Sequence, residues 1–151
     1  MNQRGFTLIE LLLTLAIAAI LTMVAAPSFS NFIARQQLAS DVNEMISVLS
    51  FARSEAIKQR RGIEVVLNVA EDTYRIRPAA DSSQVLRLGE LGNVSHNGNT
   101  DPLVVTFQSL GDADTTNCPS NTCEITISPQ NTTNIKPETR YIYQTGSIRK
   151  E

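Results

Sequence analysis

The chain has 151 residues, a formal net charge of −2, and 42% hydrophobic against 19% charged residues. That balance excludes the global basic field of a dedicated nucleic-acid binder, so any nucleic-acid contact has to be local. One histidine and two cysteines cannot supply paired zinc ligands, and no Gly-rich phosphate loop or nucleophile elbow occurs, so neither catalysis nor a metal or cofactor is expected.

The chain opens on a polar stretch, Met1-Asn2-Gln3-Arg4-Gly5, followed by Phe6-Thr7-Leu8-Ile9-Glu10 and an apolar run from Leu11 to Ala26. As a helix, residues 6–26 span about 31 Å at 1.5 Å per residue, matching a hydrocarbon core of roughly 30 Å. Glu10 is the anomaly, because an acidic residue at the centre of a bilayer helix costs roughly 2.5–3.5 kcal/mol on insertion scales. A secretory signal peptide cut after Val24-Ala25-Ala26 is one reading, although it puts Glu10 in the apolar region and Pro27 directly after the cut. A plain transmembrane anchor whose Glu10 snorkels to the interface is another.

A third reading comes from Gly5-Phe6-Thr7-Leu8-Ile9-Glu10, which resembles the processing site of type IV pilins and type II secretion pseudopilins. The resemblance implies cleavage between Gly5 and Phe6 by a prepilin peptidase, with methylation of the new amine to N-methylphenylalanine. Residues 1–5 would then be a leader and residues 6–26 a transmembrane and assembly helix. Phe6 and Glu10 are four apart and share a helix face, so the new ammonium can compensate the carboxylate. In the family, Glu10 would pair with the amine of an adjacent subunit.

Pro27 removes a backbone donor and should kink the helix if it continues. From Leu38, the positions Val42, Met45, Leu49, Ala52 and Ala56 recur at helical spacing, with Glu44, Ser47, Glu55 and Lys58 on the other side. An amphipathic helix is therefore expected over 27–61, stopped by Gly62 and with Lys58, Arg60 and Arg61 complementing its dipole. Beyond it the period shortens, predicting strands at Ile63–Val69, Thr73–Pro78, Gln84–Leu88, Leu103–Gln108, Glu124–Ser128 and Arg140–Gln144, and a short one at Ser147–Arg149. Residues 89–102, which include His96 in a solvated turn, and 111–122 are expected as loops. Asn131-Thr132-Thr133 matches a glycosylation acceptor and is taken as a turn. A helix followed by a run of strands argues for α+β with an antiparallel sheet in residues 62–151.

Cys118 and Cys123 flank a stretch of turn formers. A chain exported to an oxidising compartment is expected to join them, and so short a ring contributes roughly 2 kcal/mol.

Three segments narrow the resemblance: Ala52-Arg53-Ser54-Glu55-Ala56-Ile57, Thr106-Phe107-Gln108-Ser109-Leu110-Gly111 and Gly146-Ser147-Ile148-Arg149. Together they look like the GspH/FimT group of minor pilins and pseudopilins. Packing alone explains Ala52 and Ala56, with Arg53 and Glu55 solvated. The resemblance implies the type IV pilin fold, one long N-terminal helix packed on a C-terminal antiparallel sheet domain. It also implies a minor subunit of a type IV pilus, with an H-type pseudopilin of a type II secretion system as the alternative. The disulfide loop looks more like that of the pilus subunits.

Implied partners are other pilins, the prepilin peptidase, an inner-membrane assembly platform and the bacterial inner membrane. The globular domain would be periplasmic before assembly, and the subunit would end in an extracellular pilus or a periplasmic pseudopilus. Some members of the group are implicated in DNA capture for natural transformation through a Gly-Arg-x-Arg tail. Here Ser147 stands at the first Arg, Arg149 matches the second, and Lys150 and Arg140 lie nearby. Three phosphate contacts imply weak binding without sequence preference and a salt slope of about −2.7. The competing reading is a solvated terminus balanced by Glu151.

Overall fold

The computed structural model describes residues 7–130 and 134–150. The cleavage pair Gly5 and Phe6, Asn131-Thr132-Thr133 and Glu151 therefore lie outside the described residues. Helix α1 (Leu8–Gln59) is one 52-residue element that continues through position 27, about 78 Å long at 1.5 Å per residue. Thr7 caps its start, with its hydroxyl oxygen accepting the Glu10 N–H at 3.3 Å. Thr7-x-x-Glu10 thus has the spacing of a capping box, and Glu10 places negative charge where the helix dipole favours it.

The far end differs from expectation. Arg60, not Gly62, turns the chain, at φ 52 and ψ 38 in the left-handed region. Its N–H reaches the Ile57 carbonyl at 3.4 Å, and the Arg61 N–H reaches that of Ala56 at 3.2 Å. This is a Schellman stop made with an arginine. Gly62 is needed for a different reason: its carbonyl accepts the Ala79 N–H at 2.9 Å, and an added Cβ would stand 3.2 Å from that of Ala79.

Among the described residues nine antiparallel strands follow: β1 (Ile63–Asn68), β2 (Thr73–Pro78), β3 (Arg87–Glu90), β4 (Val94–His96), β5 (Leu103–Phe107), β6 (Ala113–Asp114), β7 (Thr122–Ile127), β8 (Glu138–Tyr143) and β9 (Ile148–Arg149). They form a five-stranded sheet in the order β3-β2-β1-β5-β6 and a four-stranded sheet in the order β4-β7-β8-β9. Helix α1 lies across both, touching β1, β5 and β7. The expected stripe of Leu38, Val42, Met45, Leu49, Ala52 and Ala56 is buried, together with Val48. Opposite it, alternate strand residues point inward: Ile63, Val65 and Leu67 from β1, Leu103, Val105 and Phe107 from β5, and Ile125 and Ile127 from β7. On the outer face, the cross-strand neighbours Glu64 and Arg77 make an ion pair at 2.9 Å.

Two short strands lie inside expected loops. β4 sits within 89–102, where Val94-Ser95-His96 pairs with β7, and β6 sits within 111–122 against β5. Three and two residues between turn formers carry too little periodicity to show at the level of pattern. The third strand begins at Arg87 instead of Gln84, because Asp81 holds Ser83 and Gln84 in a turn.

Cys118 and Cys123 form the expected disulfide, and both are buried. The bridge closes a 3₁₀ turn at Pro119–Asn121, whose Asn121 carbonyl accepts the buried Thr115 hydroxyl at 2.6 Å. Replacing both cysteines by alanine is expected to cost about 2 kcal/mol. Thermal melts of oxidised wild type and the double variant check this, and the same fall should follow reduction of wild type.

Candidate functional site

The front half of α1 is unlike the rest. From Leu8 to Met23 every large apolar side chain is exposed, and Phe29, Phe32 and Ile33 extend the sleeve. Thr14 and Thr22 donate their hydroxyls to the Leu11 and Ala18 carbonyls, each at 2.8 Å. Both polar groups are thereby satisfied within the helix, as apolar surroundings require. Glu10 is the one ionisable residue between Thr7 and Ala34, and it too is exposed. Among the described residues no helix is long and apolar enough to cross a membrane. The stretch from Thr7 to Met23 measures about 26 Å at 1.5 Å per residue. The expected span of 6–26 also draws on Phe6, outside the described residues, and on 24–26, whose side chains are not described. The same holds for the Pro27 ring.

A second feature lies where α1 meets β8. A groove of about 430 Å³ is walled by Arg35, Lys136, Arg140 and Lys150 around Leu38, Val42 and Ile135. Glu138 lies among the cations, accepting Lys150 Nζ at 2.6 Å and Arg140 Nη1 at 3.0 Å. Two of the three residues expected to face DNA are thus already engaged, and Arg140 is largely buried. Arg149 sits opposite Tyr141 in β9, exposed, with no ion pair among the described residues.

The Lys150 hydrogen bond, helped by Arg140 and opposed by partial burial, holds the Glu138 carboxyl below its ordinary value of 4.5. A depressed carboxylate stabilises the fold fully above its unfolded value, and that stability is lost as pH falls through the lower folded value. The Glu138 titration midpoint, followed by NMR, should therefore lie below 4.5 and move back up in Lys150→Met.

Arg53 is the residue that sequence reasoning misplaced. Instead of being solvated, it donates Nε to the Gly111 carbonyl at 2.8 Å and an Nη to the Thr145 carbonyl at 3.3 Å. The Ala113 N–H reaches the Gln144 carbonyl at 2.9 Å beside it. Arg53 therefore ties the helix to the turn after β5 and the turn after β8, one from each sheet. The signal was available: an arginine beside two core alanines, and glycine turns at 111 and 146.

His96 also departs from expectation. It lies in β4 with its side chain 7% exposed, accepting the Gly98 N–H at Nδ1, with Nε2 3.6 Å from Asp101. The Asp101 carboxyl is held low, first by the Val69 N–H and then by Ala70 and His96. Its role is to close the β1–β2 turn, where it accepts the Val69 and Ala70 N–H groups.

The family model for the type II transport protein GspH matches residues 41–141, about two thirds of the chain, running from Asp41 in α1 through β1–β7 into β8 and including Arg53 and Gly111. The chain belongs to the GspH family. A second model, the prokaryotic N-terminal methylation motif, matches residues 1–26. Over 61 residues the chain is 41% identical to a fimbrial protein of Pseudomonas aeruginosa, covering 40% of this chain and 39% of that protein. It is 48% identical over 42 residues to the type IV major fimbrial protein FimA of Dichelobacter nodosus, covering 28% and 27%. The chain thus spans about two fifths or less of the length of these relatives.

The crystal structure of the type IV minor pilin FimU of Pseudomonas aeruginosa superposes with a TM-score of 0.61 over 80% of this chain and 92% of that one, at 23% identity. This GspH-family chain therefore has the type IV pilin fold expected of it. Family members are minor pilins and pseudopilins, structural subunits and not enzymes.

Proposed function

We propose that this chain is a minor subunit of a type IV pilus. In this reading a prepilin peptidase cuts between Gly5 and Phe6, and the helix over 6–26 holds the subunit in the inner membrane. The chain bends at Pro27, an assembly platform extrudes it, and Glu10 docks it against the amine of a neighbouring pilin. The observation that carries the reading is the uncovered apolar sleeve with a single acid in its first turn, on a helix whose rear half is sunk into two sheets. Exposed apolar area on that scale requires lipid or other helices. The fimbrial relatives and the FimU fold favour a pilus, while the GspH family also admits an H-type pseudopilin of type II secretion.

The intact mass of the chain recovered from membranes tests the processing step. It should begin at Phe6 and carry one added methyl group. A chain beginning at Pro27 would mean a signal peptide. Gene deletion then separates the machines: loss of twitching supports the pilus, and loss of exoprotein secretion alone supports the pseudopilus. Weak DNA binding for transformation is a second reading, resting on exposed Arg149 and the cations of the groove. It requires transformation to fall in an Arg149→Ala/Lys150→Ala variant.

A further inference from the structure

Four cations, Arg35, Lys136, Arg140 and Lys150, stand around one carboxylate, Glu138, in the groove between α1 and β8. Arg140 and Lys150 share that carboxylate, and among the described residues Arg35 and Lys136 have no ion-pair partner. Both are exposed. Unpaired positive charge beside a floor of Leu38, Val42 and Ile135 suits an occupant that is anionic at one point and apolar next to it.

The height of the groove along the helix narrows the choice. Residues 6–33, the apolar stretch with its extension, measure about 42 Å at 1.5 Å per residue, against about 40–45 Å for a bilayer with its headgroups. Arg35, the first ionisable residue after Glu10, then comes level with the outer headgroup layer. Phe32, Arg35 and Ala39 recur at i, i+3 and i+7 and share a helix face, so the exposed Phe32 ring leads from the sleeve to the groove. Across the helix at the same level stand Asp41 and Glu44, with Glu90 beyond them and no lysine or arginine in that wall.

We infer that the basic groove holds the headgroup of an anionic phospholipid from the outer leaflet of the inner membrane. The phosphodiester lies against Arg35 and Lys136, and the glycerol and first acyl carbons cover Leu38, Val42 and Ile135. The inference rests on the membrane-held subunit proposed above, and adds to it which lipid the globular domain touches and which flank faces down. Attraction of the basic flank and repulsion of the acidic one act together, so an anionic surface tips the domain toward its Arg35 side. A nucleic acid would leave the apolar floor wet, and Arg149, the exposed cation of β9, is not in the wall.

Lipid competition tests this with the full chain in mild detergent and equimolar phosphatidylglycerol and phosphatidylcholine, bound lipid being counted by native mass spectrometry. Wild type should carry phosphatidylglycerol in preference. Each basic residue at an anionic surface contributes about fivefold, so Arg35→Gln/Lys136→Gln should lower the ratio of the two lipids about 25-fold. Asp41→Asn/Glu44→Asn should not lower it. In nanodiscs of the same lipids, nitroxide headgroups should broaden the Ile135 and Lys136 amide signals and spare that of Gly92, and in phosphatidylcholine alone the contrast should vanish. An unchanged lipid ratio in the basic variant overturns the inference, all the more if that variant loses duplex DNA instead, and so does equal broadening on the two flanks. Loss of the preference in inorganic phosphate, at an ionic strength where chloride preserves it, makes the groove a phosphate site and overturns it too. Melting curves of both variants guard against misfolding. Flotation separates the inference from the reading beneath it: wild type that fails to float with phosphatidylcholine vesicles sinks both, whereas a chain that floats without lipid preference sinks the inference alone.

Discussion

A Glu10→Gln chain should accumulate in the membrane at the wild-type level and be nearly absent from filaments. Removing one partner of a desolvated charge pair costs about 3–5 kcal/mol, because the other charge stays behind unpaired, so incorporation should fall by a hundredfold or more. The substitution is informative because it leaves the start of the helix alone. The Thr7 hydroxyl accepts the backbone N–H of residue 10, and glutamine serves at that capping position as well as glutamate. Insertion should not suffer, since a neutral amide is cheaper to bury than a carboxylate. Filament content and membrane content, measured by immunoblot on the same cells, therefore separate assembly from targeting. Glu10→Asp, which keeps the charge on a shorter side chain, should recover part of the loss. Filaments carrying Glu10→Gln at wild-type abundance would remove the reason for an acid in this sleeve.

The long helix was legible because its rear half buries one stripe. Leu38 to Ala56 recur at helical spacing, and burial against β1, β5 and β7 rewards that spacing. The strongly alternating strands β1, β2 and β5 were legible for the same reason. β4 and β6 were not, since a strand of two or three residues exists only because its neighbour offers a ladder, which is a tertiary fact. The same blindness hid His96, whose burial is set by the β7 partner and not by the asparagines around it. Arg60 shows the converse failure: glycine is the common residue for a left-handed helix end, so Gly62 looked like the stop, yet two backbone hydrogen bonds hold an arginine there. At the candidate site, Lys150 and Arg140 were found by charge, but Glu138, which pairs with both, was invisible without the β8–β9 pairing. The segments that carried the family resemblance, around Arg53, Gly111 and Gly146, meet at one point in space. Their shared pattern reflects packing.

That meeting point gives the largest expected effect on stability. Gly146 has φ +71, and a Cβ added to it would stand 1.9 Å from the Gly111 carbonyl oxygen. A side chain in the left-handed region costs roughly 1–2 kcal/mol by itself. The clash is worse, because the atom it meets is backbone, and Arg53 already holds that carbonyl at 2.8 Å. Relief requires the β8–β9 turn to retreat, which breaks the Arg53 bonds and leaves a part-buried guanidinium short of partners. Gly146→Ala should therefore destabilise the domain by about 3 kcal/mol or more, a fall in melting temperature of roughly 6–12 °C at this size. Gly111→Ala is the control: its φ of +88 carries similar backbone strain, but the nearest atom is Ile57 Cδ1 at 2.9 Å, the end of a side chain that can turn away. It should cost less. Arg53→Ala should fall between them, and combining it with Gly146→Ala should cost less than the sum, since both break the same bonds. If the two losses simply add, Arg53 and the Gly146 turn are not one clamp, and the tie between helix and sheets has to be sought in the apolar core.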